Sequence, residues 1–541
     1  MKKYSVVIVV SLAQFIFALD TTMMNVAITP LTQDLNTEIQ NIQLTISLYS
    51  LIIACCMLLG AKLASIYGTK RIFIIGAILF GAGTFTASIS QDVAMLTLGW
   101  ALLEGVGAAF MIPTAVTFLM TSYQGKERAV AFSIFTAVTM GAAAIGPIVG
   151  GLFTTYLSWR WAFAFELFIV AAILIFSRVL KGQRAAEKPK LDVVGVLLSA
   201  LGFGCLVMGV IATTNFGWWE AKQPLVIGGM AIAPFGLSIA PVLMFAGAVF
   251  LVLLVLWERR LEKRGDEPLM PTSLLKNRTY VAGVTIHILM QLCLAAVLFT
   301  IPFFLQSVLY KDALQTGLIL MPLTLAMVAA MPLTTLLGTR IPVKYLSLIG
   351  TAISAAGAVL LAVSFSVDMS SAALVPGFIL FGFGVGLAMG QLQNLSLSSL
   401  KPSESDEGAG LLNTCKNLGS SFGTAIVGTL LITFFLAGLV MGINGSSVFP
   451  QASKDKMTTF TTQSTLKMER ENLNTDIINK IGDSQNKYIQ ELNTITADAV
   501  GTSMRVTYYT LAGILGIGSV VSLFLSKKKL VPSDSDTNVA V

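Results

Sequence analysis

The chain has 541 residues, of which 55% are hydrophobic and only 12% charged, and its mean hydropathy is +0.80. Soluble proteins of this length carry about 25% charged residues, so the composition excludes an ordinary soluble enzyme, a disordered protein and a nucleic-acid binder. The formal net charge of +7 says nothing about partners until the basic residues are placed.

A helix needs about 20 apolar residues to cross the hydrocarbon core, and the sequence offers about fourteen such runs. The first six cover residues 4–28, 42–60, 72–89, 93–120, 129–152 and 161–180. The first is too long, and with Asp20, Thr21, Thr22 and Asn25 too polar in its second half, for a cleaved signal peptide, and reads as a retained helix. Two more runs follow at 193–213 and 239–257, and six close the chain at 280–305, 314–337, 343–367, 371–397, 409–439 and 506–525. The proline-containing stretch 224–240 either extends the eighth helix or lies in the membrane interface. The expected fold is an all-α polytopic membrane protein.

Lys and Arg are retained on the cytoplasmic side during insertion. With the N-terminus inside, most of the 35 basic residues fall in inner segments, while the short outer loops hold only Arg160, Lys222 and Lys311. Both termini are therefore expected in the cytoplasm of a cell-membrane protein. The basic excess is mostly a topology signal and calls for no nucleic acid. Segment 442–505 is then the one sizeable soluble part, outside the cell. Its residues Leu466, Leu473, Ile477, Ile481, Tyr488, Leu492 and Ile495 recur at helical spacing, which fits an amphipathic hairpin or a docking surface for a partner.

Cys55, Cys56, Cys205, Cys293 and Cys415 all lie in apolar stretches, without metal-ligand or disulfide spacing, and read as small buried hydrophobes. A single histidine, His287, argues against histidine-based metal sites, and no metal is expected. No Gly-x-x-x-x-Gly-Lys-Ser/Thr loop for nucleotide-driven pumping is present, nor a local nucleophile–base motif for a hydrolase.

Of 28 acidic residues, three fall within the membrane: Asp20, Glu104 and Glu166. A carboxylate there costs several kcal/mol unless paired, protonated or hydrated, so each is a functional candidate. At about 1.5 Å per residue, Asp20 lies about 24 Å from the inner end of its helix and Glu104 about 16 Å into the fourth. Glu166 is a turn or two below the outer surface, where pairing with Arg160 is the alternative to function. A buried carboxyl that loads a proton on one side and releases it on the other is what a proton-coupled carrier needs. His287 reads as a satisfied core histidine, and Lys416 as a structural partner of helix ends.

Several motifs now converge. The run Leu19-Asp20-Thr21-Thr22-Met23-Met24-Asn25-Val26-Ala27 with Pro30 resembles the first-helix signature of the fourteen-helix drug–proton antiporters of the major facilitator superfamily. On the fifth helix, Gly141, Gly146, Pro147, Gly150 and Gly151 match that superfamily's antiporter motif, in which glycines permit close packing and proline bends the helix. Ser158-Trp159-Arg160-Trp161, Pro268-Leu269, Asn277-Arg278, Gly410-Leu411-Leu412-Asn413-Thr414 and Gly419 fit the same branch. Gly68, Lys70 and Arg71 keep the glycine and basic end of the gating loop, but Ser65 stands where its aspartate is usual and Ile66 where a basic residue is. On the fourth helix the usual arginine before a Gln-Gly pair is Ala101, and Glu104 stands where the glutamine is expected.

The resemblance implies two six-helix bundles, residues 1–185 and 266–541, with two inserted helices in 186–265. It also implies alternating access around a midplane site. The function implied is efflux of a small amphiphilic substrate, cationic in the leading reading, by a monomer in the lipid bilayer, driven by the proton gradient and without other cofactors. Proton-coupling or substrate-binding roles fall to Asp20, Asn25, Glu104 and Glu166. Export of an endogenous amphiphile on the same scaffold, or a sensor acting through the outer segment, are the alternatives.

Overall fold

The computed structural model describes residues 4–527 except 124, 181–191, 218, 220–224, 228–229, 233–236, 266–267, 339, 367–368, 402–404 and 464–485. Within hydrocarbon every backbone N–H and C=O must be satisfied inside its own segment, which leaves the helix as the spanning element for these sequences. Among the described residues, fourteen long helices follow in chain order, with short helices at Ile28–Asp34 and Gln451–Gln463 between them. The first six are α1 (Ser5–Met23), α2 (Ile39–Tyr67), α3 (Thr69–Ser88), α4 (Val93–Leu119), α5 (Gly125–Tyr156) and α6 (Trp159–Phe176). Next come α7 (Val193–Phe216) and α8 (Ile239–Arg264). The last six are α9 (Arg278–Ser307), α10 (Ala313–Gly338), α11 (Val343–Ser364), α12 (Ser371–Leu397), α13 (Ser405–Gly445) and α14 (Asn486–Ser522). Thirteen are long and apolar enough to cross a membrane, and α5 completes the set with the shorter apolar stretch Gly141–Tyr156.

Short polar residues start several of these helices and glycines end some of them. Asn277 accepts from the N–H groups of Thr279 and Tyr280, both at 3.1 Å, to cap α9, and Asp192 accepts from Gly195 N at 2.9 Å to cap α7. Gly68, at φ 99°, ends α2 and leads directly into α3.

One open reading is narrowed and one expectation needs correcting. Of the two alternatives for 224–240, extension of the eighth helix is excluded. Leu225–Ile227 pairs antiparallel with Met230–Ile232 in a two-stranded hairpin, β1 and β2, and α8 begins only at Ile239. The last helix is also far longer than the 506–525 run, because Tyr488, Leu492 and Ile495 continue its apolar face beyond the membrane length. Leu492 and Ile495 are buried there, and Tyr488 packs on Phe449 at a ring separation of 5.5 Å. Leu466, Leu473, Ile477 and Ile481 of the expected hairpin lie outside the described residues.

The apolar cores form two main bodies. One is built from α1 to α6 with Phe299 of α9 added. The other is built from α9 to α14 with Val26 added. The bodies meet where α5 packs on α10 and α2 on α13, while α7 and α8 pair with each other and α7 leans on α2 and α13.

Candidate functional site

Four helices of the first body bring polar groups to one buried point. Asp20 lies in the last turn of α1, Glu104 on α4 and Glu166 on α6, and all three are completely buried. One carboxylate oxygen of each lies within 4.8 Å of the others. The fourth contributor is Thr84 of α3, whose hydroxyl lies 2.7 Å from a Glu104 oxygen and 3.3 Å from a Glu166 oxygen. The indole N–H of Trp100 donates to Asp20 at 3.2 Å.

Local sequence explains how these helices come so close. Residues Thr97–Glu104 form a π-helical stretch within α4, a wide turn often found at functional sites. It swings Glu104 toward α3. There Gly83 has no side chain, and a Cβ at that position would lie 2.6 Å from the Glu104 backbone nitrogen. Trp100 is wedged between Tyr49 and Phe163, each 5.8 Å away centroid to centroid.

The partnering is incomplete. Glu104 Oε2 and Glu166 Oε1 are buried without a hydrogen-bond partner, while the buried Tyr49 hydroxyl lies against the Asp20 carboxylate. The expected alternative for Glu166, an ion pair with Arg160, is not formed. Arg160 instead pairs with Asp34, donates to Ser90 O at 2.8 and 3.0 Å, and stacks 4.3 Å over Trp159. It ties helix ends together at the membrane face opposite Gly68.

A narrow cavity of about 30 Å3 lies next to the carboxylates, between the two bodies. On the first body's side it is lined by Thr21, Met24, Tyr49 and Trp100, and on the other by Gln291, Leu298, Ser420 and Thr424. Tyr49 and Trp100 thus stand as a wall between cavity and carboxylates. The volume suits one water, whereas drug-sized sites need about 300–1,000 Å3, so the bodies are closed on each other here. Ser47 and Thr424 hydroxyls meet at 2.9 Å, Gln43 donates to Thr424 O at 2.9 Å, and Gln306 donates to Val26 O at 2.8 Å.

The fifth-helix motif divides between two neighbours. Gly146 and Gly150 face α1, where a Cβ on Gly150 would run into the Met23 carbonyl. Gly151 faces α10, with a Cβ position 2.5 Å from Ala313 O, and the Pro147 carbonyl abuts Gly317 of α10. Gly141 has open space around it. The motif therefore seats α5 between α1, which carries Asp20, and the second body.

The remaining candidates are peripheral to the carboxylates. Lys70 reaches the Arg178 carbonyl at 3.5 Å near the end of α6, Arg71 is exposed, and Ser65 donates to its own helix at Lys62 O, 2.7 Å away. The side chain of Asn25 lies outside the described residues. His287 bonds to Gly283 O at 2.9 Å, as a core histidine does, with Lys416 of α13 facing it. Thr84, Trp100 and Tyr49 were not among the sequence candidates. Trp100 carried one signal, its depth, since membrane tryptophans gather at the interfaces; nothing marks Thr84 among the other intramembrane hydroxyls.

The Major Facilitator Superfamily model matches residues 10–219 and 194–424. The chain belongs to this superfamily of transporters. It is 31% identical over 432 residues to the "probable actinorhodin transporter" of Streptomyces coelicolor, covering 77% of this chain and 70% of that one. It is 28% identical to a puromycin resistance protein of Streptomyces alboniger, covering 78% and 80%. Among solved structures, a bacterial homologue of the lysosomal transporter Spinster, in an inward-facing unoccupied conformation, superposes with a TM-score of 0.59 at 14% identity over 98% of this chain and 99% of that one. A D-xylose–proton symporter superposes with a TM-score of 0.55 at 13% identity, covering 80% and 90%. These two superpositions establish the fold alone.

Proposed function

We propose that this major facilitator protein exports small amphiphilic compounds, cationic ones foremost, in exchange for protons. The observation that carries the reading is the buried set Asp20, Glu104 and Glu166 directly behind the Tyr49–Trp100 wall of the cavity. Three carboxylates this close and this deep need compensating positive charge. Protons supply it in one state, and a cation held against the aromatic wall supplies part of it in another. Substrate and proton then compete for one negative centre, which is the requirement for exchange. Rocking of the two bodies about α5–α10 and α2–α13 would open the cavity to each side in turn. The relatives named for resistance to, or transport of, antibiotics support export as the direction.

Glu104→Gln tests this reading, because it keeps shape and hydrogen bonding while removing titration and charge. In proteoliposomes the variant should lose uphill efflux driven by a pH gradient yet retain downhill exchange of substrate. If it pumps neutral and cationic substrates as wild type does, from about pH 6 to 8, Glu104 is structural and the reading fails at that residue.

The membrane orientation rests on the basic loops. Lys263 and Lys456 are both exposed; a cysteine at the second should react with a membrane-impermeant maleimide in intact cells, and one at the first only after the cells are permeabilised. Labelling of both from one face would overturn the assigned topology.

A further inference from the structure

We infer that the cavity between the two bodies continues into a subsite for an acidic group, with Lys416 of α13 as its counter-ion. The compounds that fill it best are then amphiphiles with a carboxylate at one end and an amine at the other. This rests on the proposed export of amphiphiles through that cavity and narrows which amphiphiles they are. Ser420 of α13 and Gln291 of α9 both line the cavity, and residues four apart share a helix face. Lys416 and His287 therefore stand one turn, about 5.4 Å, beyond them, toward the membrane face that carries Gly68.

Neighbouring positions fix the direction of Lys416. Gly419 and Gly423 turn to α9, where a Cβ on Gly419 would lie 2.6 Å from Ile288 O and one on Gly423 would run into Leu292 O. Ser421 turns to α2, donating to Ser47 O at 2.9 Å. At about 100° per residue, Lys416 falls between the α9 face and the cavity face marked by Ser420. It is half-buried there and faces His287. At about 1.5 Å per residue, it lies about 16 Å from the start of α13, too deep to serve a helix end or to snorkel to the surface.

Its charge has no answer within the protein. Among the described residues no carboxylate pairs with the Lys416 ammonium, and burial alone bears on it. An imidazole carries no negative charge in any protonation state, and His287 Nδ1 is spent on Gly283 O at 2.9 Å. Among the described residues, α9 to α14 bury no carboxylate, whereas the first body buries three and no basic side chain. A cation this deep is costly unless paired or hydrated, and marks a ligand path. The cavity is thus bipolar, with acids behind the Tyr49–Trp100 wall on one body and a lone cation beside it on the other. An amine against the wall and a carboxylate at Lys416 satisfy both, while a second amine at Lys416 is repelled. Gln291, half-buried on the cavity lining, offers an amide N–H to the same carboxylate.

The test is equilibrium binding of tritiated probes to the purified full-length protein in lipid nanodiscs at about pH 7.5, with uptake by empty nanodiscs subtracted. The probes are dodecanoate, dodecanol, dodecylamine and 12-aminododecanoate, which share one chain and differ in their ends. Wild type should bind dodecanoate at least about tenfold tighter than dodecanol, and 12-aminododecanoate tighter still. Lys416→Gln should weaken dodecanoate and 12-aminododecanoate at least about tenfold without weakening dodecylamine, and Lys416→Arg, which keeps the charge, should restore both. Dodecanoate bound no tighter than dodecanol by the wild type overturns the inference however the variants fold. Unchanged dodecanoate binding by Lys416→Gln overturns it too, as does an equal loss of dodecylamine, which would make the lysine structural. Subsite and antiport fail separately: a carboxylate preference set by Lys416 without proton-driven export defeats only the antiport, and proton-driven export without that preference defeats only the subsite.

Discussion

Gly150→Leu should abolish transport, while Gly141→Ala on the same helix should leave it at the wild-type level. Both residues belong to one motif, yet their surroundings are opposite. At Gly150 the first added carbon meets the backbone carbonyl of Met23, which cannot rotate away as a side-chain tip would. Overpacking of this kind costs roughly 1–3 kcal/mol. It falls on the contact that holds α1, and with it Asp20, in register with Trp100. At Gly141 nothing lies within reach, and alanine in a helix interior is favoured over glycine by about 0.5–1 kcal/mol. Substrate efflux from cells expressing each variant at equal membrane levels checks the pair. Efflux by Gly150→Leu at the wild-type rate would show that the α1–α5 contact is dispensable.

The second large effect is expected at Trp100. Its ring is completely buried, packed on Tyr49 and Phe163, so Trp100→Ala should destabilise the protein by about 3–5 kcal/mol and lower its unfolding temperature in detergent. Trp100→Phe separates packing from chemistry. It keeps an aromatic ring in the wall but removes the N–H that Asp20 accepts. This variant should unfold near the wild-type temperature, exchange substrate downhill, and fail to concentrate it against a gradient. Equal loss of both transport modes would mean that Trp100 serves only as packing.

The fold was legible because its dominant signal, runs of about 20 apolar residues, is nearly unambiguous in lipid. The sequence was ambiguous or misleading where that signal does not operate. At 224–240 an apolar composition folds as a hairpin, and at 486–505 an amphipathic sequence continues a helix past the membrane. The candidate site was legible in depth but not in direction. By their distance along their helices, Asp20 and Glu166 were placed in the outer half and Glu104 near the middle of the membrane. Their convergence depends on which face each helix presents, and that is set by contacts far apart in sequence. Gly83 against Glu104, Gly150 against Met23, and the wide turn before Glu104 decide it, and none announces its partner locally. Arg160 shows the same lesson, since the nearer-seeming partner Glu166 loses to Asp34.

Exchange of protons for substrate at the buried carboxylates must move protons across the membrane. The most direct measurement is proton movement itself. Protein is reconstituted into vesicles carrying a pH-sensitive dye, without a membrane potential, and a substrate gradient is imposed across them. Proton flux should run opposite to substrate, in proportion to it, and be absent in Glu104→Gln although substrate still exchanges downhill. Substrate movement by the wild type with no accompanying proton flux would contradict that exchange.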